Sequence, residues 1–154
     1  MNLQHILDNK VGGEIRSVPP DASVGTAIET MCRHHVGALI VLSAEDRTVC
    51  GIVSERDLLR HLCPDDEAPE AKLSRAVREV MTCEVVMGAP DDTAHHALAV
   101  MSRHGVRHLP VVQGDRVLGM ISVGDLLSEL YQEDELKIRH LSDFLGGTYG
   151  LRVY

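Results

Sequence analysis

The chain contains one stretch twice, and this duplication constrains its fold more than any other feature. Residues 51–59 read GIVSERDLL, and residues 119–127 read GMISVGDLL. Five of the nine positions are identical, including a serine and an aspartate three residues apart in each copy. Such a repeat indicates two structural units of the same kind, which must pack on each other to bury enough apolar surface.

The repeat extends upstream of this stretch. Pro20-Asp21 matches Pro90-Asp91, and residues 34–39 match residues 104–109, at a constant separation of 70 residues. The separation then falls to 68, because the turn SAEDRTVCG is two residues longer than the turn QGDRVLG. Surface turns tolerate insertions, so this is where a repeated fold is expected to vary.

The hydrophobic pattern predicts the same elements in both units. In the first, apolar residues at helical spacing from Val24 to Met31 predict a helix, followed by strands GALIVL and VCGIVS and a helix ERDLLRHL. In the second, we expect a helix from about Asp91 to His104, strands LPVV and VLGMIS, and a helix from Val123. A short strand, GEIRSV or CEVVMG, should enter each unit. The predicted fold class is α+β, with two pseudo-symmetric units packed through their sheets.

The same pattern divides the chain into five segments. They are an N-terminal helix (1–10), a first unit (11–63), a linker (64–79), a second unit (80–130), and a C-terminal helix and tail (131–154). The linker is polar and acidic at its start and has room for one short helix within LSRAVREVM. A long helical pattern runs from Asp125 to Leu145, and Gly146-Gly147 is expected to end it.

Composition excludes several classes of function. A net charge of −8 disfavours non-specific binding to nucleic acid or to an anionic membrane. No apolar run approaches the 18 or so residues that span a bilayer, and MNLQHILDNK shows no cleavage site. We therefore expect a cytoplasmic protein, with neither nucleic acid nor membrane among its partners.

Metal binding and catalysis are not expected. The four cysteines lack the paired spacing of zinc ligands, and the chain contains no HExxH. Nucleophile-elbow, Walker and GxGxxG patterns are also missing. The sequence predicts no catalytic residues and no metal site, and so a protein that is not an enzyme.

The repeated Ser-x-x-Asp lies where a strand is expected to end and a helix to begin. At such a junction, a hydroxyl and free backbone N–H groups can hold an anion such as phosphate. A carboxylate in the first helical turn can accept hydrogen bonds from two vicinal hydroxyls, as on ribose. The same residues also suit a plain helix cap, with the serine as the cap and the aspartate favoured by the helix dipole. Both interpretations stay open, and both can hold at once.

With these motifs in place, the two units resemble a tandem pair of CBS domains, also called a Bateman module. The resemblance rests on GIVSERD, GMISVGD, the Val80-Met81-Thr82 segment and GVRHLPVV, in this order and duplicated, over about residues 10 to 130. The chain is also similar to stand-alone bacterial members, which contain little beyond the pair. The resemblance implies a regulatory module that binds AMP, ADP, ATP or NAD in two clefts between the units.

The resemblance also implies roles for single residues. Asp57 and Asp125 would hold ribose, and Ser54 and Ser122 would contact phosphate or sugar. The base needs an apolar slot, for which Ile15 and Val85 are candidates because they occupy matching positions in the entering strands, although both also suit an ordinary core. Two further candidates are Thr82, which adds a hydroxyl, and Pro110, within GVRHLPVV.

The two clefts are not expected to be equal. Arg107-His108 stands where the first unit has Gly37-Ala38, and the first unit adds Arg56 within SERD. Arginine pairs with phosphate oxygens, and histidine adds a donor whose charge depends on pH. The resemblance implies that Arg107 and His108 reach across to the ligand held by Ser54 and Asp57. A solvated arginine and a surface histidine are the alternative.

The ends of the chain carry apolar stripes. Leu3, Ile6 and Leu7 recur at helical spacing, as do the apolar residues of the C-terminal helix. Such stripes cover a core or a symmetry mate, so we expect a homodimer with the terminal helices at or near its interface. The predicted function is a ligand sensor that signals to an unidentified protein partner. The alternative is a structural or interaction protein with vestigial clefts.

Overall fold

A computed structural model describes residues 1–10 and 14–145, with side chains up to residue 136. Its secondary-structure elements alternate as the repeat predicts, and their order is α1 (Leu3–Asn9), β1 (Ser17–Val18), α2 (Val24–His34), β2 (Ala38–Leu42), β3 (Val49–Ser54), α3 (Glu55–His61), α4 (Pro69–Ser74), a 3-10 turn (Val77–Glu79), α5 (Ala94–His104), β4 (His108–Gln113), β5 (Arg116–Ser122) and α6 (Val123–Leu145). The predicted glycine stop at 146–147 lies outside the described residues. None of the described helices is long and apolar enough to cross a membrane.

The matching helices α2 and α5 begin and end in the same way. Ser23 caps α2 by accepting a hydrogen bond from the Thr26 N–H at 3.0 Å, and Thr93 is the corresponding cap of α5. Both helices end at a residue in the left-handed conformation, His35 (φ 53°) and Gly105 (φ 65°). The helix of the second unit therefore starts three residues later than Asp91, because Thr93 lies outside it as the cap.

The two sheets differ, and the prediction of a strand entering the second unit was wrong. In the first unit β1 pairs in parallel with β2, and β2 pairs antiparallel with β3; the second unit pairs only β4 with β5. The segment CEVVMG makes a single parallel bridge, from Gly88 to Val111. In the first unit the Ile40 N–H donates to the Arg16 carbonyl at 3.2 Å. Pro110 stands at the matching position of β4 and has no N–H to donate, so the second strand does not form.

Each unit has its own core, and a third cluster joins them. In β2, Leu39 and Val41 face the core of the first unit, whereas Ile40 and Leu42 face the second unit together with Val117. This alternation explains why GALIVL is apolar throughout, since the strand is buried on both faces. It also confirms that the units pack through their sheets.

The segment expected to be a polar linker instead completes the first core. Val77 is fully buried among the first unit's apolar residues. Its N–H donates to the Ala22 carbonyl at 2.8 Å, and the Val24 N–H donates to the Arg75 carbonyl at the same distance. The apolar residues of LSRAVREVM dictate this packing, since burying them stabilises the fold by about 25 cal/mol per Å².

The N-terminal segment completes the core of the second unit. Leu3 is fully buried there, its N–H donates to the Asp92 carbonyl at 2.9 Å, and the Ala94 N–H donates to the Met1 carbonyl at 3.2 Å. The apolar residues of α1 thus correspond to those of the linker at a separation of 74 residues: Leu3 to Val77, Ile6 to Val80 and Leu7 to Met81. Each segment that precedes one unit completes the core of the other.

Two glycines of the repeat allow these segments to cross the sheets. A Cβ on Gly51 would lie 2.7 Å from the Met81 sulfur and 2.8 Å from the Thr82 carbonyl oxygen. A Cβ on Gly119 would lie 2.8 Å from a terminal carbon of Leu7. The glycine that opens both GIVSERD and GMISVGD therefore lies where another segment approaches closely, with a backbone oxygen near Gly51 and a flexible side chain near Gly119.

We expect Gly51→Ala to destabilise the fold more than Gly119→Ala. At Gly51 the added methyl meets a backbone oxygen, which cannot move without breaking the bridge to β3, whereas at Gly119 it meets the end of a flexible side chain. Gly51→Ala should lower the free energy of unfolding by about 1–3 kcal/mol. Urea unfolding of both variants measures the difference, and equal losses would contradict this account of the crossing.

Candidate functional site

Both repeats place their serine and aspartate in the same hydrogen-bonded arrangement. The Ser54 N–H and Oγ each donate to Asp57 Oδ2 at 2.8 Å, and Ser54 Oγ accepts from the Asp57 N–H at 3.4 Å. In the second unit, the Ser122 N–H and Oγ donate to Asp125 Oδ2 at 2.7 Å, and Ser122 Oγ accepts from the Asp125 N–H at 3.2 Å. The capping interpretation is confirmed at both sites. It uses Oδ2 of each carboxylate and makes no use of Oδ1.

A cavity of about 320 Å³ lies against Asp57, between the two units, and we call it cleft 1. Its volume is within the range of small-molecule sites. Seven of the residues predicted from the sequence line it: Ser54, Arg56, Asp57, Thr82, Val85, Arg107 and His108. Arg107 and His108 come from the second unit, so the walls of cleft 1 are contributed by both units.

The crossing segment supplies one wall of cleft 1. Thr82 exchanges two backbone hydrogen bonds with Ile52 of β3, at 2.8 and 3.0 Å. This pairing directs its hydroxyl toward Asp57 Oδ1, at 3.3 Å. Val85 and Val86 follow on the same wall and give it an apolar surface.

Charged side chains line the remaining walls of cleft 1, where three arginines are matched in number by Glu55, Asp57 and Glu84. Arg56 and Arg60 extend from α3, and Arg107 faces them from the second unit. All three are exposed, with Glu55 and Glu84 as the acidic residues nearby. Three guanidinium groups converging on one cavity provide paired donors for an anion such as phosphate.

A second cavity, of about 430 Å³, lies against Asp125, and we call it cleft 2. Of the predicted residues, Ser122, Asp125 and His108 line it. Its other polar lining was missed by the sequence analysis and consists of Lys10, Glu14, Arg16, His34 and His35. The sequence analysis named cations for the first cleft only, and the cations of cleft 2 come from Lys10 and Arg16. Residues 3–7 match residues 77–81 in apolar spacing, and the segment after residue 81 lines cleft 1. This match was the signal that the segment after residue 7, which includes Lys10, would line cleft 2.

Lys10 forms the strongest polar contact of cleft 2. Its ammonium group lies 2.8 Å from Asp125 Oδ2 and 3.0 Å from the Met120 carbonyl oxygen. Burial alone would raise the pKa of Asp125, but the hydrogen bonds from Lys10 and Ser122 outweigh burial and hold the pKa below its usual value. This carboxylate is consequently ionised and already paired.

Two predicted residues lie away from both cavities. Ile15 is partly buried against the cluster that joins the two sheets. Pro110 is buried in β4, where its carbonyl accepts a hydrogen bond from the Gly88 N–H at 2.9 Å. Ile15 and Val85 match in the sequence, but only Val85 lines a cleft. The difference arises because only the first unit forms an entering strand.

His108 and Gly37 separate the two clefts and line both of them. A Cβ on Gly37 would lie 3.3 Å from the Glu55 carboxyl carbon and 3.4 Å from His108 Nε2. Burial lowers the pKa of His108, and the positive charges of Lys10 and Arg107 lower it further. The negative charges of Glu55 and Asp125 act in the opposite direction but do not outweigh burial. The imidazole between the clefts is therefore favoured in its neutral form.

Within the described part of the chain, no three His, Cys, Asp or Glu side chains come together as a possible metal site. The polar lining of the two clefts consists of carboxylate, hydroxyl, imidazole and cationic side chains.

The family model for the CBS domain matches this chain twice, over residues 12–63 and 77–132. The chain belongs to the CBS domain family. Both matches contain the glycine, serine and aspartate of the repeat, and the second begins at Val77, within the segment first expected to be a linker.

Relatives of this CBS pair come from plants, bacteria and archaea. A mitochondrial CBS domain-containing protein of Arabidopsis thaliana, CBSX3, is 30% identical over 132 residues, which are 84% of this chain and 63% of that protein. The Bacillus subtilis CBS domain-containing protein YhcV is 28% identical over 73% of this chain and 76% of its own length. Inosine-5'-monophosphate dehydrogenase of Methanocaldococcus jannaschii is 34% identical over only 22% of its own length.

Solved structures share the fold of this CBS pair. The CBS-domain protein ATU1752 of Agrobacterium tumefaciens has a TM-score of 0.76 and 32% identity, and covers 84% of this chain and 98% of its own. A putative signal-transduction protein with CBS domains from Burkholderia ambifaria has the same TM-score and identity, with 93% of its own chain covered. The α+β fold of two packed units is thereby confirmed.

The half-buried His108, whose pKa is lowered by burial, predicts how the stability of the CBS pair depends on pH. Below its ordinary pKa of about 6.5, the unfolded chain takes up a proton that the folded chain resists. Folding stability should therefore decline as the pH falls through 6.5 toward the lowered pKa. In His108→Gln this part of the decline should disappear. Thermal unfolding between pH 5 and 7.5 measures it, with His95→Gln on the exposed face of α5 as control. Parallel curves for the parent and His108→Gln would contradict the prediction.

Proposed function

We propose that this CBS pair is a regulatory module that binds an adenine nucleotide (AMP, ADP, ATP or NAD) without catalysis, with cleft 1 as its principal site. One observation carries the proposal: the carboxylate of Asp57 opens into a ligand-sized cavity whose opposite wall supplies Arg107. A carboxylate and a guanidinium facing each other across such a space suit a ligand with hydroxyls at one end and phosphate at the other.

Each part of a nucleotide has a complementary surface in cleft 1. The ribose diol would hydrogen-bond to both oxygens of Asp57. It would replace the Thr82 hydroxyl at Oδ1 and use the acceptor capacity that the two Ser54 donors leave on Oδ2. The phosphate would lie near the Ser54 hydroxyl and the arginines. The base would pack on Val85 and Val86, whose neighbouring backbone can hydrogen-bond to its edge.

A structure with this fold supports the ligand class. The CBS domain pair of protein MJ0100 is in complex with 5'-methylthioadenosine and S-adenosyl-L-methionine, and its TM-score to this chain is 0.71. At 20% identity that likeness extends to the fold alone. The choice of an adenosine ligand therefore depends on the residues of cleft 1 and on the family.

The alternative function is a structural or interaction protein with vestigial clefts. The capping boxes favour it to the extent that they explain Ser54 and Asp57 without any ligand. Capping does not explain why Arg56, Arg60 and Arg107 converge from two units on the same cavity.

Asp57→Asn should weaken binding of AMP at cleft 1 by about tenfold or more. Asparagine keeps an oxygen that can accept from the Ser54 N–H, so the helix cap is retained while the charged diol acceptor is lost. Isothermal titration calorimetry with AMP, ATP and NAD measures the effect, and unchanged thermal unfolding of the ligand-free variant shows that the fold is intact. Parent protein that binds none of these nucleotides would overturn the proposed function.

Arg107→Ala provides a matched variant at the other end of cleft 1. Losing a partly desolvated arginine–phosphate contact weakens AMP binding by about 1.5–3 kcal/mol, which is one to two decades of affinity. Adenosine has no phosphate, so its affinity should stay unchanged in Arg107→Ala and should fall in Asp57→Asn. An equal loss for adenosine and AMP in Arg107→Ala would place Arg107 elsewhere than at the phosphate.

We further propose that the module is a homodimer and transmits ligand binding to a protein partner. Large apolar side chains on the outer helices remain exposed: Leu59 on α3 by 70%, and Leu127 and Tyr131, one turn apart on α6, by 52% and 62%. Exposed apolar residues that line up on helices are typical of surfaces that associate.

Leu127→Glu combined with Tyr131→Glu should shift the protein from dimer to monomer. The two carboxylates would have to be buried without partners at an interface that includes α6. Sedimentation velocity over a range of concentrations measures the change, with Glu129→Gln as a control on the same helix. A parent protein that sediments as a monomer at all concentrations would contradict the homodimer.

A further inference from the structure

Lys10 makes in cleft 2 the two contacts that Thr82 makes in cleft 1, one to a strand carbonyl and one to the capping aspartate. The Thr82 N–H donates to the Ile52 carbonyl, and its hydroxyl donates to Asp57. The Lys10 ammonium alone donates to the Met120 carbonyl and to Asp125. Met120 matches Ile52 in the repeat, so the two arrangements are equivalent in position and different in charge.

The two donors hold their carboxylates with different strength. Thr82 offers a neutral hydroxyl to Asp57 Oδ1 at 3.3 Å, which can turn away when another donor arrives. Lys10 offers an ammonium at 2.8 Å, with both side chains mostly removed from water (30% and 25% exposed). Charge-assisted hydrogen bonds of this kind are about twice as strong as neutral ones.

The ion pair also fills the acceptor capacity of one oxygen. Asp125 Oδ2 receives three donors, namely the Ser122 N–H, the Ser122 hydroxyl and Lys10. A ribose diol needs both oxygens of the carboxylate to bind in a bidentate way. In cleft 1, Oδ2 of Asp57 receives only the two donors of Ser54 among the described hydrogen bonds.

We propose that Lys10 is a built-in competitor for the diol site of cleft 2, so that a ribonucleoside binds Asp125 only when Lys10 is displaced. This inference rests on the proposed function and deepens it. Cleft 2 is thereby the weaker site for any ligand recognised through its vicinal hydroxyls, although its cavity is the larger one. The N-terminal segment that completes the second core thus also sets the selectivity of the adjoining cleft.

Lys10→Met tests the competition, because methionine keeps the apolar stem and removes the charge. Adenosine is the probe, since it has the diol and lacks the phosphate that Lys10 could attract. In the Asp57→Asn background, which isolates cleft 2, Lys10→Met should raise the affinity for adenosine about tenfold by calorimetry. The affinity for 2',3'-dideoxyadenosine should not change, because that compound has no diol.

Two further variants separate the possible results. Lys10→Arg keeps a charged donor and should keep the affinity for adenosine low, whereas Asp125→Asn should abolish the gain produced by Lys10→Met. Thermal unfolding shows whether α1 stays docked, which its buried Leu3 and Ile6 predict.

Adenosine affinity that is unchanged or reduced in Lys10→Met would overturn the competition, as would an equal gain for the dideoxy compound. If the parent still bound AMP through Asp57, the proposed function would survive that result. Failure of the parent to bind any adenine nucleotide, with no binding gained in Lys10→Met, would overturn both.

Discussion

The structure depends on the reciprocal completion of its two cores. Val77 closes the core of the first unit and Leu3 closes that of the second, and both are fully buried. Each closing segment then crosses the neighbouring sheet at a glycine, Gly51 or Gly119, where a side chain would collide with it. Because the crossing ends beside the strand-to-helix junction, the contact that stabilises each core also determines which residue meets the capping aspartate.

This dependence explains how two clefts with the same backbone arrangement differ in chemistry. The serine and aspartate are constrained twice, as helix caps and as cleft walls, and they are the same in both units. The residue delivered by the crossing segment has no such double constraint. It is a threonine that pairs through its backbone in one unit and a lysine that pairs through its side chain in the other. The cleft walls contributed by the opposite unit differ too, since Arg107 faces cleft 1.

Sequence reasoning found what local chemistry and the repeat dictate. Ser-x-x-Asp at a strand end specified its own capping geometry, and the apolar run GALIVL specified a strand. It missed Lys10, because α1 and the linker differ in polar residues and match only in apolar spacing at a separation of 74 residues. It also wrongly predicted a second entering strand. Pro110 lacks the N–H that would have bonded to that strand, but a local pattern does not show that the two segments would have paired there. Such errors concern pairing between distant segments, which a local pattern does not encode.

The capping aspartates also connect binding with the mechanics of the module. A ligand in cleft 1 would touch α3 through Asp57, the crossing segment through Thr82 and Val85, and the second unit through Arg107. The first two parts belong to one body, because Thr82 exchanges two backbone hydrogen bonds with β3 and Leu58 of α3 shares a core with Val77, whereas Arg107 belongs to the second unit. A ligand shifts a conformational equilibrium only by its difference in affinity between the two states. A nucleotide bound as proposed would span the two units and meet this condition, because a small displacement between the units would break its contacts at one end or the other.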